Sequence, residues 1–214
     1  MPRTDFTPKK HGFHFPNVFA NKIIKTKWGE IETKGRCGGM AFASLDYYFA
    51  NIPIPAYGTK DSSIRIPPDG DFVADFIYKR LIDSFFTSTS HKFISWTLAS
   101  DSPKFLSKGV SHWTKKKEFP KMKESIDKGI PVILGLVRSR NLKEIAGNHQ
   151  VVAYGYDYNS INDKITIYIY DNNFPDQEVM LISDETIPHF VSLDKYIWRG
   201  FFVQDYKPKV PKES

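Results

Sequence analysis

The hydrophobic period of this chain changes once, near residue 130, and that change limits the folds open to it. Before it, apolar residues recur at helical spacing. Phe72, Val73, Phe76, Ile77, Leu81, Ile82 and Phe85 predict a helix over 71–86. Residues 38–50, GGMAFASLDYYFA, are apolar nearly all round and predict a helix buried on every side, ended by Pro53 and Pro55. A helix is expected near 90–99, and a short one over Lys121 to Lys128 that stops at Gly129. After the change, Pro131 to Val137 reads as a buried strand, Gln150 to Tyr156 as a second, and Lys164 to Tyr170 as a third. Asn162-Asp163 marks the turn between the last two, and Val179 to Ile182 and Gly200 to Gln204 are shorter strands. Helices in one half and strands in the other predict an α+β fold rather than α/β.

Residues 1–34 read as irregular, with Pro2, Pro8 and Pro16 as punctuation, and 51–70 and 100–118 read as loops that would wall any cleft. With 214 residues, 41% of them hydrophobic, the chain can bury one substantial core, so one domain over 1–214 is expected. The net charge of +6 is concentrated at the ends. Residues 1–36 hold eight Lys/Arg against three acids, and the tail 207–214 holds three Lys against Glu213. Nucleic-acid binders usually concentrate base on a folded face. The placement therefore argues for solvated, solubilising termini and against a nucleic-acid partner, and Lys115-Lys116-Lys117 reads as a solvated patch. No apolar run reaches the roughly 20 residues that span a bilayer. The polar start, Met1 to Lys10, lacks the apolar stretch of a Sec signal, so a cytoplasmic location is expected, with signal-independent export still open.

Cys37 is the one cysteine, which excludes internal disulfides and multi-cysteine zinc or redox motifs. It lies in Gly35-Arg36-Cys37-Gly38-Gly39, immediately before the predicted buried helix. Unpaired N–H groups at a helix start lower the pKa of a nearby thiol and raise its thiolate fraction. The alternative is a lone cysteine that acts as a small buried hydrophobe. His149 leads a strand, and Asp171 ends the next one, before Asn172-Asn173. In an antiparallel hairpin the start of one strand lies beside the end of the other, which makes His149 and Asp171 neighbours. A carboxylate there fixes the imidazole tautomer and stabilises the imidazolium. The pair is equally readable as a structural hydrogen bond, and Asp171 alone as a turn residue. His11 and His14 have no acidic partner at metal-ligand spacing, and Gly35 to Gly39 lacks the Gly-Lys-Ser/Thr of a phosphate loop. No metal or cofactor is therefore expected. His91, His112 and His189 read as surface or capping residues, and Asp69 and Asp71, around Gly70, as a turn and a helix cap.

Taken together, Gly35 to Phe49, Lys128 to Leu134, His149 to Tyr156 and Ile167 to Pro175 make the chain resemble papain-like cysteine peptidases, in particular the C39-like branch. The similarity spans about residues 30–205 and shares the order Cys, His, Asp. It implies a papain-like fold, a peptide or amide-containing substrate, Cys37 as nucleophile, His149 as base and then acid, and Asp171 as orienter. Asn172 is the alternative orienter, since papain uses Asn. The family carries a Gln six residues before its Cys as oxyanion donor, and here that position is Ile31. The Cys37 N–H alone, or with Asn17, Asn21 or Trp28, is left for that task. An acyl-thioester resolved by water makes a hydrolase, and one resolved by an amine makes a transglutaminase-like acyltransferase. The missing Gln keeps a non-catalytic binding module in view.

Overall fold

A helix that is apolar on every face must be packed on every face, and residues 38–47 are all buried. The computed structural model describes residues 1–19, 24–26, 29–31, 35–63, 65–103, 108–183, 189–192 and 196–212, with backbone only for 24–26 and 29–31. In chain order they form α1 (Pro8–His11), a hairpin of β1 (Ile24–Thr26) and β2 (Gly29–Ile31), α2 (Cys37–Phe49), α3 (Phe72–Phe85) and α4 (His91–Leu98). Next come α5 (Gly109–Trp113), a π-helical turn (Thr114–Glu118) and α6 (Phe119–Asp127). The strands follow: β3 (Val132–Val137), β4 (His149–Asn159), β5 (Lys164–Tyr170), β6 (Val179–Ser183), β7 (Phe190–Ser192), β8 (Ile197–Trp198) and β9 (Gly200–Val203). A 3₁₀ turn, Leu142–Gly147, precedes β4. The fold is α+β, as the change of period predicts.

One side of α2, with Ala41, Phe42 and Leu45, packs on Ile133, Val152 and Tyr154 of the sheet. The other side, with Met40, Ala43 and Tyr47, meets Val73 and Ile77 of α3 and Phe13 and Phe15 of the N-terminal segment. Gly39 lets α3 approach, because a Cβ there would stand 2.1 Å from the Ile77 carbonyl oxygen. The N-cap of α3 is Asp71, whose Oδ1 accepts the Val73 N–H at 2.8 Å.

The described strands from β3 onward form an antiparallel sheet ordered β8-β7-β6-β5-β4-β3-β9. β8 and β9 lie at opposite ends of that order, yet only Arg199 separates them in sequence. Seven strands laid flat would hold the edges roughly 30 Å apart, whereas the two steps from Trp198 to Gly200 span at most about 7 Å. The sheet therefore curls until its edges meet, and the Arg199 N–H donates to the Val137 carbonyl at 2.8 Å. The Arg199 side chain is buried and donates to the carbonyls of Trp96, Thr97, Ala99 and Ser139 while pairing with Asp101. It pins the C-terminal end of α4 to the seam of the curled sheet.

The structure corrects three expectations. The termini are not solvated tails. Phe6, Phe13 and Phe15 are buried, and Arg3 pairs with Glu178 at 2.6 Å. At the other end, Tyr206 Oη and the Lys209 N–H both donate to the buried Asp46, which also pairs with the buried Arg80. Second, residues 109–127 are helical throughout, not loop-like up to 118. Their buried side chains include Thr114, which bonds the Phe201 backbone, and Glu118, which accepts the Val203 N–H and pairs with Lys92. Buried polar residues on a helix erase the apolar period that reveals it. Third, residues 1–34 are not irregular throughout, since α1, β1 and β2 lie there, and β7 and β8 are further short strands; runs of two to four residues carry no period to read. The other predicted elements recur with small changes of boundary, and Gly129 takes the left-handed φ of 76° just beyond α6.

Candidate functional site

Cys37 is the first residue of α2, partly exposed at the floor of a cleft of about 820 Å³. His149 opens β4 from the strand facing it, and its position is fixed from behind. Asn148 Oδ1 accepts the N–H groups of Arg138 and Ser139, and Asn148 Nδ2 donates to Thr97 Oγ1. The β4–β5 register pairs Val152 with Tyr170, so the chain beyond β5 returns beside the start of β4. His149 Nε2 and Asp171 Oδ1 are 2.8 Å apart, both buried. The Asn173 N–H donates to the same carboxylate oxygen at 2.9 Å. The imidazole and the Cys37 thiol are near enough to act on each other, His149 pushing the thiol down and Cys37 pushing the imidazole up.

The electrostatics follow from these contacts. Burial pushes the Cys37 thiol up, but His149 first, then the Gln150 and Gly38 N–H groups, outweigh it, and the net shift is downward. Burial pushes His149 down, yet the Asp171 carboxylate and then Cys37 raise it well above its ordinary value. Asp171 is pushed up by burial and held below its ordinary value by His149 and the Asn173 N–H. The three shifts favour one charge state: thiolate, imidazolium, carboxylate.

Sequence reasoning brought together Cys37, His149 and Asp171, and all three line one cleft, with His149 and Asp171 directly hydrogen-bonded. Asn172 does something else. Its Nδ2 donates to the carbonyls of Cys37 and Gln150, at 3.1 and 3.0 Å, and so clamps the start of α2 to β4. Arg36 is buried away from the sulfur, bonded to the Ala74 carbonyl and to Asp69. Asn17 takes a defined place. Its N–H donates to the Asn172 carbonyl, its side chain lies against Gly35, and its Oδ1 accepts the Arg36 N–H. Among the described residues its Nδ2 has no hydrogen-bond partner, and Asn17 lines the cleft with Cys37. Asn21 and Trp28 lie outside the described residues.

Of the three tryptophans that the sequence offers either to the cleft or to packing, Trp96, Trp113 and Trp198, Trp198 lines the cleft, while Gln150 is a neighbour that sequence reasoning missed. Trp198 stacks on His149, with ring centroids 6.1 Å apart and planes 19° apart. The curling of the sheet puts it there, and no local pattern announces that. Gln150 stands behind Gly38, where a Cβ would come within 2.2 Å of its Oε1. A side chain at position 38 would thus collide with the floor of the site. The cleft walls also differ from expectation. They are the end of α3, α4, the 3₁₀ turn and β8, and none of the described residues of 51–70 and 100–118 lines the cleft. Of the other tryptophans, Trp96 and Trp113 pack on each other. His189 is partly buried and lies 3.3 Å from Asp101, not on the surface. No family model matches the chain, and neither a curated protein nor a solved structure is similar to it.

Proposed function

We propose that the chain is a thiol-dependent hydrolase of amide or peptide substrates on a papain-like scaffold. The observation that carries this reading is the His149–Asp171 contact of 2.8 Å in a cleft that also holds a cysteine at a helix start. The scaffold reading is supported by a buried helix that presents the nucleophile to an antiparallel sheet carrying base and orienter.

The chemistry runs in two halves. The Cys37 thiolate adds to the substrate carbonyl carbon, and the carbonyl π electrons move to oxygen. The Cys37 backbone N–H and Asn17 Nδ2 serve the oxyanion, Asn17 taking the part a Gln at position 31 would have played. The imidazolium gives its proton to the leaving nitrogen, the C–N bond breaks, and the amine departs. His149, now neutral, takes a proton from water, the hydroxide oxygen bonds to the acyl carbon, and the C–S bond breaks. Asp171 holds the ring throughout and stabilises its charged form. The window for this state is bounded by the shifts above. Thiolate is lost as pH falls through the lowered Cys37 value, and imidazolium is lost as pH rises through the raised His149 value.

The test is acylation by p-nitrophenyl acetate, followed as release of p-nitrophenolate. Wild type is expected to give a burst of one equivalent per chain and an acetyl thioester on Cys37, both absent in Cys37→Ala. In Asn17→Ala the burst should slow roughly 10²-fold, the effect of losing one oxyanion donor. Alkylation of the thiol by iodoacetamide, which forms no oxyanion, should barely change. A wild-type chain without a burst would overturn the hydrolase reading in favour of a binding module.

A further inference from the structure

Cys37 opens onto walls that are apolar and poor in acid. On the helical side stand Phe85, Phe86, Phe93 and Ile94. Phe86 is 59% exposed and Ile94 47%, large apolar side chains left facing water at the mouth of the site. On the sheet side stand Ile145, Tyr196 and Trp198. Asp171 is the one carboxylate among the described lining residues, and it is already bonded to His149. The charged or titratable groups that remain on the walls are His91 and the exposed Arg138, which lies 4.5 Å over the Tyr196 ring. Among the described lining residues none is placed to neutralise a substrate cation, and a cation moved against these walls would lose hydration without gaining a partner. An uncharged alkyl or aryl group loses only unfavourable contact with water.

We infer that the substrate carries a bulky, uncharged apolar group beside the bond that Cys37 attacks, and that α4 and Trp198 hold this group between them. The inference rests on Cys37 being the nucleophile. Such a group can be the side chain of a hydrophobic amino acid or a straight fatty acyl chain. The cleft fits either by chemistry, and the probes below separate them.

The experiment compares N-substituted chloroacetamides on the intact chain. The thiolate displaces chloride, a C–S bond forms and the C–Cl bond breaks, so the reactive end is the same in every probe. N-benzyl and N-octyl chloroacetamide are expected to alkylate Cys37 at least about tenfold faster than N-(2-ammonioethyl) chloroacetamide, as burial of an apolar group of that size implies. A faster benzyl probe indicates an amino-acid side chain, and a faster octyl probe an acyl chain. In Ile94→Asp, where the change falls on an exposed residue and adds a carboxylate to the wall, the apolar-to-cationic ratio should fall toward one. Equal rates for apolar and cationic probes in wild type, or an unchanged ratio in Ile94→Asp, would overturn the inference. Iodoacetamide, too small to use the walls, is run beside them. If it labels Cys37 rapidly while the ratio is near one, the cleft assignment alone fails. If it labels no faster than free cysteine, the nucleophile reading fails, and this inference with it.

Discussion

His149→Ala is expected to slow the acylation of Cys37 at neutral pH by at least about 10²-fold, because the thiolate fraction collapses. Burial alone pushes the Cys37 thiol up, and His149 is the largest influence acting the other way. Without the imidazole, the backbone N–H groups of Gln150 and Gly38 are the only named contacts left to favour the thiolate. The loss should be greater on an amide than on p-nitrophenyl acetate, since an amine needs a proton to leave and p-nitrophenolate does not. Raising the pH should restore much of the ester rate in the variant and little of the amide rate. A variant as fast as wild type at neutral pH would show that the imidazole does not activate the thiol.

Arg199→Ala is expected to cost about 3–5 kcal/mol of stability in urea denaturation, the range for removing one partner of a buried ionic contact. The guanidinium is buried and donates to four backbone carbonyls from two segments besides pairing with Asp101. Asp101 keeps Arg140 at 2.6 Å and His189 at 3.3 Å, so most of the loss comes from the orphaned carbonyls. Arg199→Lys keeps the charge but lacks the planar fork and should recover less than half of the loss. Because the same residue holds the seam that brings Trp198 over His149, the folded fraction of Arg199→Ala should also react more slowly at Cys37. A stability loss within the ordinary scatter of surface substitutions, about 0.5 kcal/mol, would mean that the seam is held by other contacts.

The parts of this molecule that were readable in advance are those in which a local pattern carries the physics. The all-round apolar 38–50 had to be a central helix, and KITIYIY had to be a strand with a buried face. Adjacent strands joined by Asn162-Asp163 placed His149 beside Asp171 by hairpin geometry alone. What stayed hidden depends on contacts distant in sequence. Phe6, Phe13 and Phe15 gave no period among prolines, and their burial comes from the α2 and β4–β5 surfaces that receive them. Thr114 and Glu118 look like solvent-facing residues until β9 supplies their partners. Trp198 reaches His149 only because the sheet curls. Asn172 was a fair rival to Asp171 on sequence, since both follow Tyr170. Hydrogen bonding decides between them: Asp171 bonds the imidazole, while Asn172 Nδ2 is spent on the Cys37 and Gln150 carbonyls.

The central claim is that Cys37 and His149 rest as a thiolate–imidazolium pair. The pH dependence of Cys37 alkylation by iodoacetamide tests it most directly, with His149→Ala as the reference. The wild-type rate is expected to titrate in with a midpoint clearly below about 8.5, the ordinary thiol value, and this midpoint should move up in His149→Ala. A wild-type midpoint at or above the ordinary thiol value, unmoved by the loss of His149, would contradict it.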